Sequence, residues 1–232
     1  MIKCKWLRLQ SSLPPSKVMK AVLNRTFSND ADQGFLALAK IDQSIFAKYT
    51  ERTVIRENLV NPYGEVSESE SVKYSIISFR LHYSDPFDEN YVLEVLHPPR
   101  TLRPLLRELS DALDGIVVHE PKIQLLSVFT ELKNNSFKAK IVRLKASGIE
   151  ISPTSELKAE VLSSSDAYSD LISRFDESRL KLEKIRIENP FPTTSGPLEL
   201  SVNGLCSFDE RIEENVRSLL LGAYRRGFST DI

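Results

Sequence analysis

Glycine is scarce in this sequence, at 8 of 232 residues. Sites that cradle phosphate groups need clustered glycines, because backbone amides must approach the ligand closely. The nearest match to a P-loop runs from Gly222 to Gly227, but Phe228 stands where the lysine belongs, and the segment ends a predicted helix instead of opening one. A dinucleotide-binding fingerprint is also missing, so the sequence does not support nucleotide binding of either kind.

Residues for metal binding and nucleophilic catalysis are equally few, with three histidines and two cysteines. No serine occupies a G-x-S-x-G elbow, and neither Cys4 nor Cys206 has a histidine near it in sequence. Both cysteines lie in strand-like runs, where we expect buried free thiols in preference to a disulfide. The sequence therefore gives no positive support for catalysis, and we expect no cofactor.

Long apolar runs are absent too. The longest, such as Leu219 to Leu221, are far shorter than the roughly 20 residues that span a bilayer. The N-terminal residues carry dispersed charges and no continuous apolar segment of a signal peptide. We therefore expect a cytoplasmic protein without a membrane partner. Because 31 basic residues nearly cancel 32 acidic ones, nucleic-acid binding would require a local basic patch.

Helices are predicted where apolar residues recur every three or four positions. The pattern is most regular at 208–226, with Ser207 and Glu210 as a capping box and Gly227 at the C-terminal end. A second helix at 102–113 has Pro104 in its first turn and Gly115 beyond its end. Two further helices are expected at 166–175, with Ser165 as N-cap, and near 14–23.

Most of the remaining chain has the composition and alternation of β-strands. The segments 45–60 and 70–84 flank NPYGEVSESE, whose Asn, Pro and Gly residues favour a turn, so we expect a long hairpin with a mobile acidic tip. Other strands are expected at 2–9, 35–41, 91–97, 116–132 in pieces, 137–145, 156–162, 179–188 and 197–206.

This order of elements predicts an α+β fold with mostly antiparallel sheets. Meanders of strands would each be closed by a helix, and three to four helices would pack on the sheet faces. We expect residues 1–232 to form a single α+β unit. The alternative is two lobes, 1–133 and 137–232, that meet at the polar segment KNNS.

Two candidate sites for divalent metal ions can be drawn from the sequence. His82, Asp85 and Asp88 form a local cluster, although a polar turn around Pro86 explains the same residues. Asp114, Glu131 and Lys133 match in form the D…ExK pattern of metal-dependent nucleases, in which the Glu-x-Lys lies on a strand. Glu156 and Lys158 match as well, which shows that this pattern arises readily on the solvent face of a strand.

Basic residues recur along three predicted strands, where they could follow a phosphate backbone. The alternative is that these lysines protect sheet edges, and the charged positions change phase midway along each run, so that no face would be purely basic. The candidate nucleic-acid-binding residues are Lys138, Lys140, Arg143, Lys145, Arg179 and Lys181, with Lys184 and Arg186 continuing the last run.

The function that these features favour is a non-catalytic binding subunit of a larger intracellular assembly. A protein partner is expected, because a long polar hairpin and exposed strands suit pairing with another chain. Nucleic acid is a second expected partner class, through the basic strands. The alternative is a metal-dependent nuclease, or another hydrolase with an unrecognised active site.

Overall fold

The structure is a computed structural model, and it describes residues 1–28, 30–84, 89–136, 138–152, 155–176 and 180–228. The chain divides into two compact units. The hairpin unit comprises residues 9–118, and the terminal unit comprises residues 1–8 together with the chain from 119 onward. The class is α+β with antiparallel strand pairing, as predicted.

The hairpin unit contains the sheet β2-β3-β4-β5, in which every neighbouring pair is antiparallel. Two helices accompany it, and α1 contacts both β2 and α2. The bounds are α1 (Pro15–Leu23), β2 (Gln33–Ile41), β3 (Ser44–Val60), β4 (Val66–Tyr83), β5 (Asn90–Leu96) and α2 (Arg103–Ala112).

Alternate residues of β3 and β4 build the core of the hairpin unit. Tyr49 stands opposite Ile77, and Ala47 stands opposite Phe79, and all four are buried. Phe35 of β2 packs edge-on against the rings of Tyr49 and Phe79, with centroids 6.1 Å and 5.9 Å apart. The residues between them point to the other face of the sheet, since side chains alternate along a strand.

The terminal unit contains the sheet β1-β11-β10-β9-β7-β8, again antiparallel throughout. Its core face is defined by one row of register partners, all buried, which crosses five strands: Cys4, Cys206, Leu200, Ile185 and Leu144. Helix α3 contacts β9, and α4 contacts β7 and β8. The bounds are β1 (Ile2–Gln10), β6 (Val117–His119), α3 (Leu125–Asn135), β7 (Lys140–Ser152), β8 (Ser155–Leu162), α4 (Ala167–Ile172), β9 (Lys181–Glu188), β10 (Leu198–Ser201), β11 (Leu205–Phe208) and α5 (Glu213–Phe228).

The sequence predicted strands in this region, but the structure has helix α3 there. Its buried residues Leu125, Val128, Phe129 and Leu132 recur at intervals of three and four, which is helical spacing. Val128, Phe129 and Thr130, taken one at a time, have the β-branched or aromatic character that favours a strand. The helix continues through the polar segment where a lobe boundary was suggested, and Ser136 is its C-cap.

The helix ends also differ from the predictions. Asp209 caps a 3-10 turn at Glu210–Ile212 by accepting a hydrogen bond from the backbone N–H of Arg211, and α5 follows directly. Ser207 lies instead in β11. In α4 the N-cap is Asp166, whose side chain accepts from two backbone amides. Each predicted cap was displaced by a nearby carboxylate, which is an equally good acceptor for helix amides.

Candidate functional site

The outer half of the β3–β4 hairpin extends beyond the strands that flank it. Strand β2 pairs with β3 only as far as Glu51, and β5 pairs with β4 only from Ser78 onward. Between these limits, residues 53–60 pair with residues 66–73, and in the described part of the chain no third strand joins them. We call residues 53–73 the β-arm. Eight residues in each strand extend it by roughly 25 Å at about 3.3 Å per residue.

One face of the β-arm and its root is apolar and exposed. Val54 stands opposite Val72, and Val60 stands opposite Val66, so these four valines share one face. Tyr74 and Ile76 continue the same face toward the root, because they occupy alternate positions on β4. The exposed fractions of these residues run from 37% for Val54 to 66% for Val60, with values between for Val66, Val72, Tyr74 and Ile76.

Two polar cross-strand pairs, Arg56–Glu70 and Asn58–Glu68, lie between the valines on this face. Arg56 donates to Glu70 across the two strands, with 3.1 Å between Nε and Oε2. The other face is mainly polar and includes the serines at 67, 69 and 71, although Leu59 is also exposed there. The β-arm therefore has one face with exposed valines on both sides of a polar middle, where Glu68 adds a negative charge to the ion pair, and one hydroxyl-rich face.

The tip of the β-arm is an ordered turn. The Asn61 side-chain oxygen accepts from the backbone N–H groups of Tyr63 and Glu65, each at 2.9 Å. The Asn61 amide nitrogen donates to Glu65 Oε2 at 2.7 Å, and Gly64 adopts a φ of 83°. This turn holds Tyr63 at the end of the β-arm with 90% of its surface exposed. The predicted acidic loop is accordingly shorter than expected, since β4 already begins at Val66.

Of the predicted metal cluster the structure describes only His82, because Asp85 and Asp88 lie outside the described residues. His82 is buried in β4, where its Nε2 lies 2.9 Å from Oε2 of the buried Glu94. Arg80 Nη1 lies 3.4 Å from the same oxygen. Within the described ranges, no group of three or more His, Cys, Asp or Glu side chains is arranged to hold a metal ion.

The nuclease pattern requires its Glu-x-Lys residues to lie on a strand, but the structure places them on a helix. Glu131 and Lys133 lie on α3, where residues two apart point in different directions. Asp114 follows the end of α2 at a φ of 57° and belongs to the hairpin unit, whereas Glu131 and Lys133 belong to the terminal unit. The pattern in the sequence therefore reflects a helix surface and not the strand of a nuclease site.

The candidate basic residues of β7 and β9 do share a sheet face. β-bulges interrupt the β7–β9 register between Ile141 and Arg143 and again between Lys145 and Ala146. A bulge inserts one extra residue into a strand and so shifts which residues point to each face. Basic residues that do not alternate regularly in the sequence can therefore lie on one face of the sheet. As a result, the face of the sheet that points away from the core carries Lys140, Arg143, Lys145 and Lys181. Lys138 is exposed in the turn before β7, and Arg179 lies outside the described residues.

Glutamates offset much of this positive charge. Glu160 accepts from Arg143 and lies 3.5 Å from Lys145 Nζ, and Arg143 holds the pKa of that carboxyl below its usual value. Glu188 lies 3.7 Å from Lys140 Nζ. Glu183 lies 3.4 Å from Lys158 Nζ, and hydrogen bonds from Ser147 and Lys158 lower its pKa. The face is therefore a mixed-charge network and not a uniformly basic stripe.

Sequence reasoning missed the apolar face of the β-arm. A signal was present, because Val54, Val60, Val66, Val72 and Tyr74 all occupy even positions on either side of a turn. Such alternation usually indicates a half-buried strand, so the residues were assigned to a sheet. Only the ends of β2 and β5 reveal that the valines lie beyond the flanking strands, whereas Tyr74 at the root packs edge-on against Phe27 with ring centroids 6.2 Å apart.

Comparison with models of protein families finds no match to this chain, and comparison with curated protein sequences finds none either. Among the helices of the described residues, none combines the length and apolar character needed to cross a membrane.

Proposed function

We propose that this protein is a non-catalytic binding subunit of a larger protein assembly and that the β-arm is its docking element. The observation that carries the proposal is the exposed apolar face of Val54, Val60, Val66, Val72, Tyr74 and Ile76. These six side chains present on the order of 500 Å² on one face, in two groups separated by the pairs Arg56–Glu70 and Asn58–Glu68, and exposed apolar patches of a few hundred Å² are often functional.

The length of the β-arm supports the same proposal. An isolated two-stranded hairpin is at best marginally stable in water, so extending one away from its sheet adds little to the stability of the fold. The β-arm also leaves backbone groups on both outer edges without a strand partner in the described chain. An extended segment of another protein could pair with either edge and lay alternate apolar residues over the valine face.

The tip adds an anchor residue to this surface. Tyr63 is almost fully exposed on a turn that five hydrogen bonds hold, two of them accepted by the Asn61 side chain. Tyrosine is enriched among residues that dominate binding energy, and a rigid presentation lowers the entropy lost on binding. Arg56 and Glu70 form a neutral ion pair, and Glu68 adds one negative charge beside it, so we expect burial of the flanking apolar side chains to drive docking.

The experiment that tests this proposal begins with a photo-crosslinking residue at position 63 in the full chain, expressed in its native cells. The crosslinked partner is then purified and titrated with the wild-type protein and two double variants. V54T/V72T keeps the β-branched shape but makes the face polar, whereas S69T/S71T changes the opposite face. We expect V54T/V72T to weaken binding about tenfold or more and S69T/S71T to bind like the wild type.

Equal affinity of both double variants for the partner would overturn the docking role of the valine face. Thermal unfolding of each variant controls for folding, and we expect little change because the substituted positions are exposed. Light scattering after size exclusion provides a further control. Self-association that V54T/V72T abolishes would replace the heterologous partner with a second copy of this chain.

A further inference from the structure

The seam between β7 and β9 places like charges opposite each other twice in succession. Arg143 is the register partner of Arg186, and Lys145 is the register partner of Lys184. Like charges directly opposite on neighbouring strands destabilise a sheet. Two successive pairs of like charge on the face away from the core lower the stability of the folded protein, so stability alone does not explain them.

Two carboxylates contact three of these four cations. Glu160, on the β8 side, pairs with Arg143 and Lys145. Glu199 is the register partner of Arg186 on β10, but its Oε1 lies 2.7 Å from Lys184 Nζ. Over the described residues, Arg186 forms no ion pair. Glu160 and Glu199 therefore leave the seam with an excess of positive charge, and Arg186, beside a second guanidinium, is the cation that neither of them contacts.

A surface cavity of about 460 Å³ adjoins this pair of arginines. Arg143, Arg186, Ser163 and Ser164 line it, together with Glu188. The one carboxylate on the wall is balanced, because Lys140 lies 3.7 Å from Glu188 and also donates to the carbonyl oxygen of Ser164 at 2.9 Å. Glu160 contacts Nε and one terminal nitrogen of Arg143, so the other terminal nitrogen is left for a ligand.

We propose that Arg143 and Arg186 form a binding site for the phosphate group of a phosphate ester. Guanidinium groups bind phosphate through paired hydrogen bonds, and the negative charge of a bound phosphate would relieve the repulsion between the two arginines. The hydroxyl of Ser164 supplies a further donor at the wall of the cavity, whereas Ser163 Oγ accepts from the backbone N–H of Ser165 and lies 3.1 Å from Ser165 Oγ. Lys145 and Lys184 lie two residues farther along the seam, roughly 7 Å away, and meet the next phosphate when the ester is part of a nucleic-acid strand.

Charge reversal at position 186 separates binding from stability. R186E places a carboxylate opposite Arg143, so it should abolish phosphate binding and raise the melting temperature of the protein. R186Q should weaken binding about tenfold or more, in line with the loss of one charge-assisted hydrogen bond. K158Q is the matched control, because Lys158 is an exposed cation of the neighbouring strand β8 that pairs with Glu183 away from the cavity.

The probes are inorganic pyrophosphate, followed by calorimetry, and a fluorescent single-stranded oligonucleotide, followed by anisotropy at low salt. Pyrophosphate binding that R186Q weakens and K158Q preserves supports the site and assigns it to free phosphate esters. The other supporting result is a protein that binds the oligonucleotide and not pyrophosphate. If R186Q weakens that binding and K158Q preserves it, the site is supported and assigned to a nucleic-acid backbone. Equal weakening by R186Q and K158Q, or no saturable binding of either probe to the wild type, overturns the proposal.

Discussion

Trp6 and Tyr224 stack against each other with ring centroids 5.9 Å apart and an angle of 29° between their planes. Both side chains are buried, and burial raises the pKa of the Tyr224 hydroxyl well above its usual range. Aromatic pairs of this kind stabilise a protein by about 0.5 to 1.5 kcal/mol beyond the area that they bury. The contact links β1, near the start of the chain, to α5 near its end, within the terminal unit.

A glycine beside this pair should be among the least replaceable residues. Gly204 has a φ of 82°, and a Cβ there would lie 2.5 Å from the carbonyl oxygen of Trp6 and 2.9 Å from Tyr224 Oη. Gly204→Ala should therefore lower the free energy of unfolding by about 2 to 5 kcal/mol, through both backbone strain and steric overlap. Gly115→Ala is the control, because Gly115 also has a positive φ but has open space around its Cα. It should cost about 1 to 2 kcal/mol in urea unfolding, and equal losses would contradict the packing argument.

Leu220 of α5 is fully buried, so truncating it should create a cavity. Leu220→Ala should lower the free energy of unfolding by about 2 to 5 kcal/mol. Leu162→Ala serves as the comparison in the same unit, because Leu162 is 72% exposed, and its loss should change stability by less than about 0.5 kcal/mol. A Leu220→Ala protein that melts at the wild-type temperature would show that α5 packs differently.

Glu108 of α2 is a buried carboxylate that joins three elements of the hairpin unit. Its Oε1 accepts from Arg25 Nε at 2.6 Å, and its Oε2 accepts from Gln33 Nε2 at 2.8 Å. Glu108→Ala should destabilise the protein by about 2 to 4 kcal/mol, because both donors lose their acceptor. Asp111→Ala removes the exposed carboxylate that lies 3.7 Å from Arg25 and should cost less than about 1 kcal/mol. Similar denaturant midpoints for the two variants would contradict a structural role for Glu108.

Tyr49 should make the protein less stable at high pH. Burial raises the pKa of its hydroxyl to about 12, whereas an unfolded tyrosine titrates near 10. The folded state therefore binds more protons between these values, and stability should fall as the pH rises from about 10 to 12. Tyr49→Phe removes this titration and should reduce the pH dependence of the melting temperature in that interval, while Tyr224, whose pKa burial also raises, retains its own contribution. An unchanged pH dependence in Tyr49→Phe would exclude Tyr49 as its cause.

Local spacing was enough to predict several elements of the fold. Helix α2 lies within one residue of its predicted span at each end, because its leucines repeat with helical period and Pro104 and Gly115 mark its limits. Helix α3 was missed, because its β-branched and aromatic residues favour strands when they are judged one at a time. The long hairpin was expected from its turn residues, but the extent of its uncovered half depends on where β2 and β5 stop pairing.

The amino-acid sequence by itself determined the α+β class, the helix α2 and the turn at Asn61, because periodicity, capping and turn formation act over a few neighbouring residues. The tertiary structure alone decided which polar groups meet. Glu108 reaches donors 75 and 83 positions away, and Arg143 meets Arg186 only because a bulge resets the face of β7. Strand pairing over such separations depends on the packing of the whole sheet, which leaves no local pattern in the sequence.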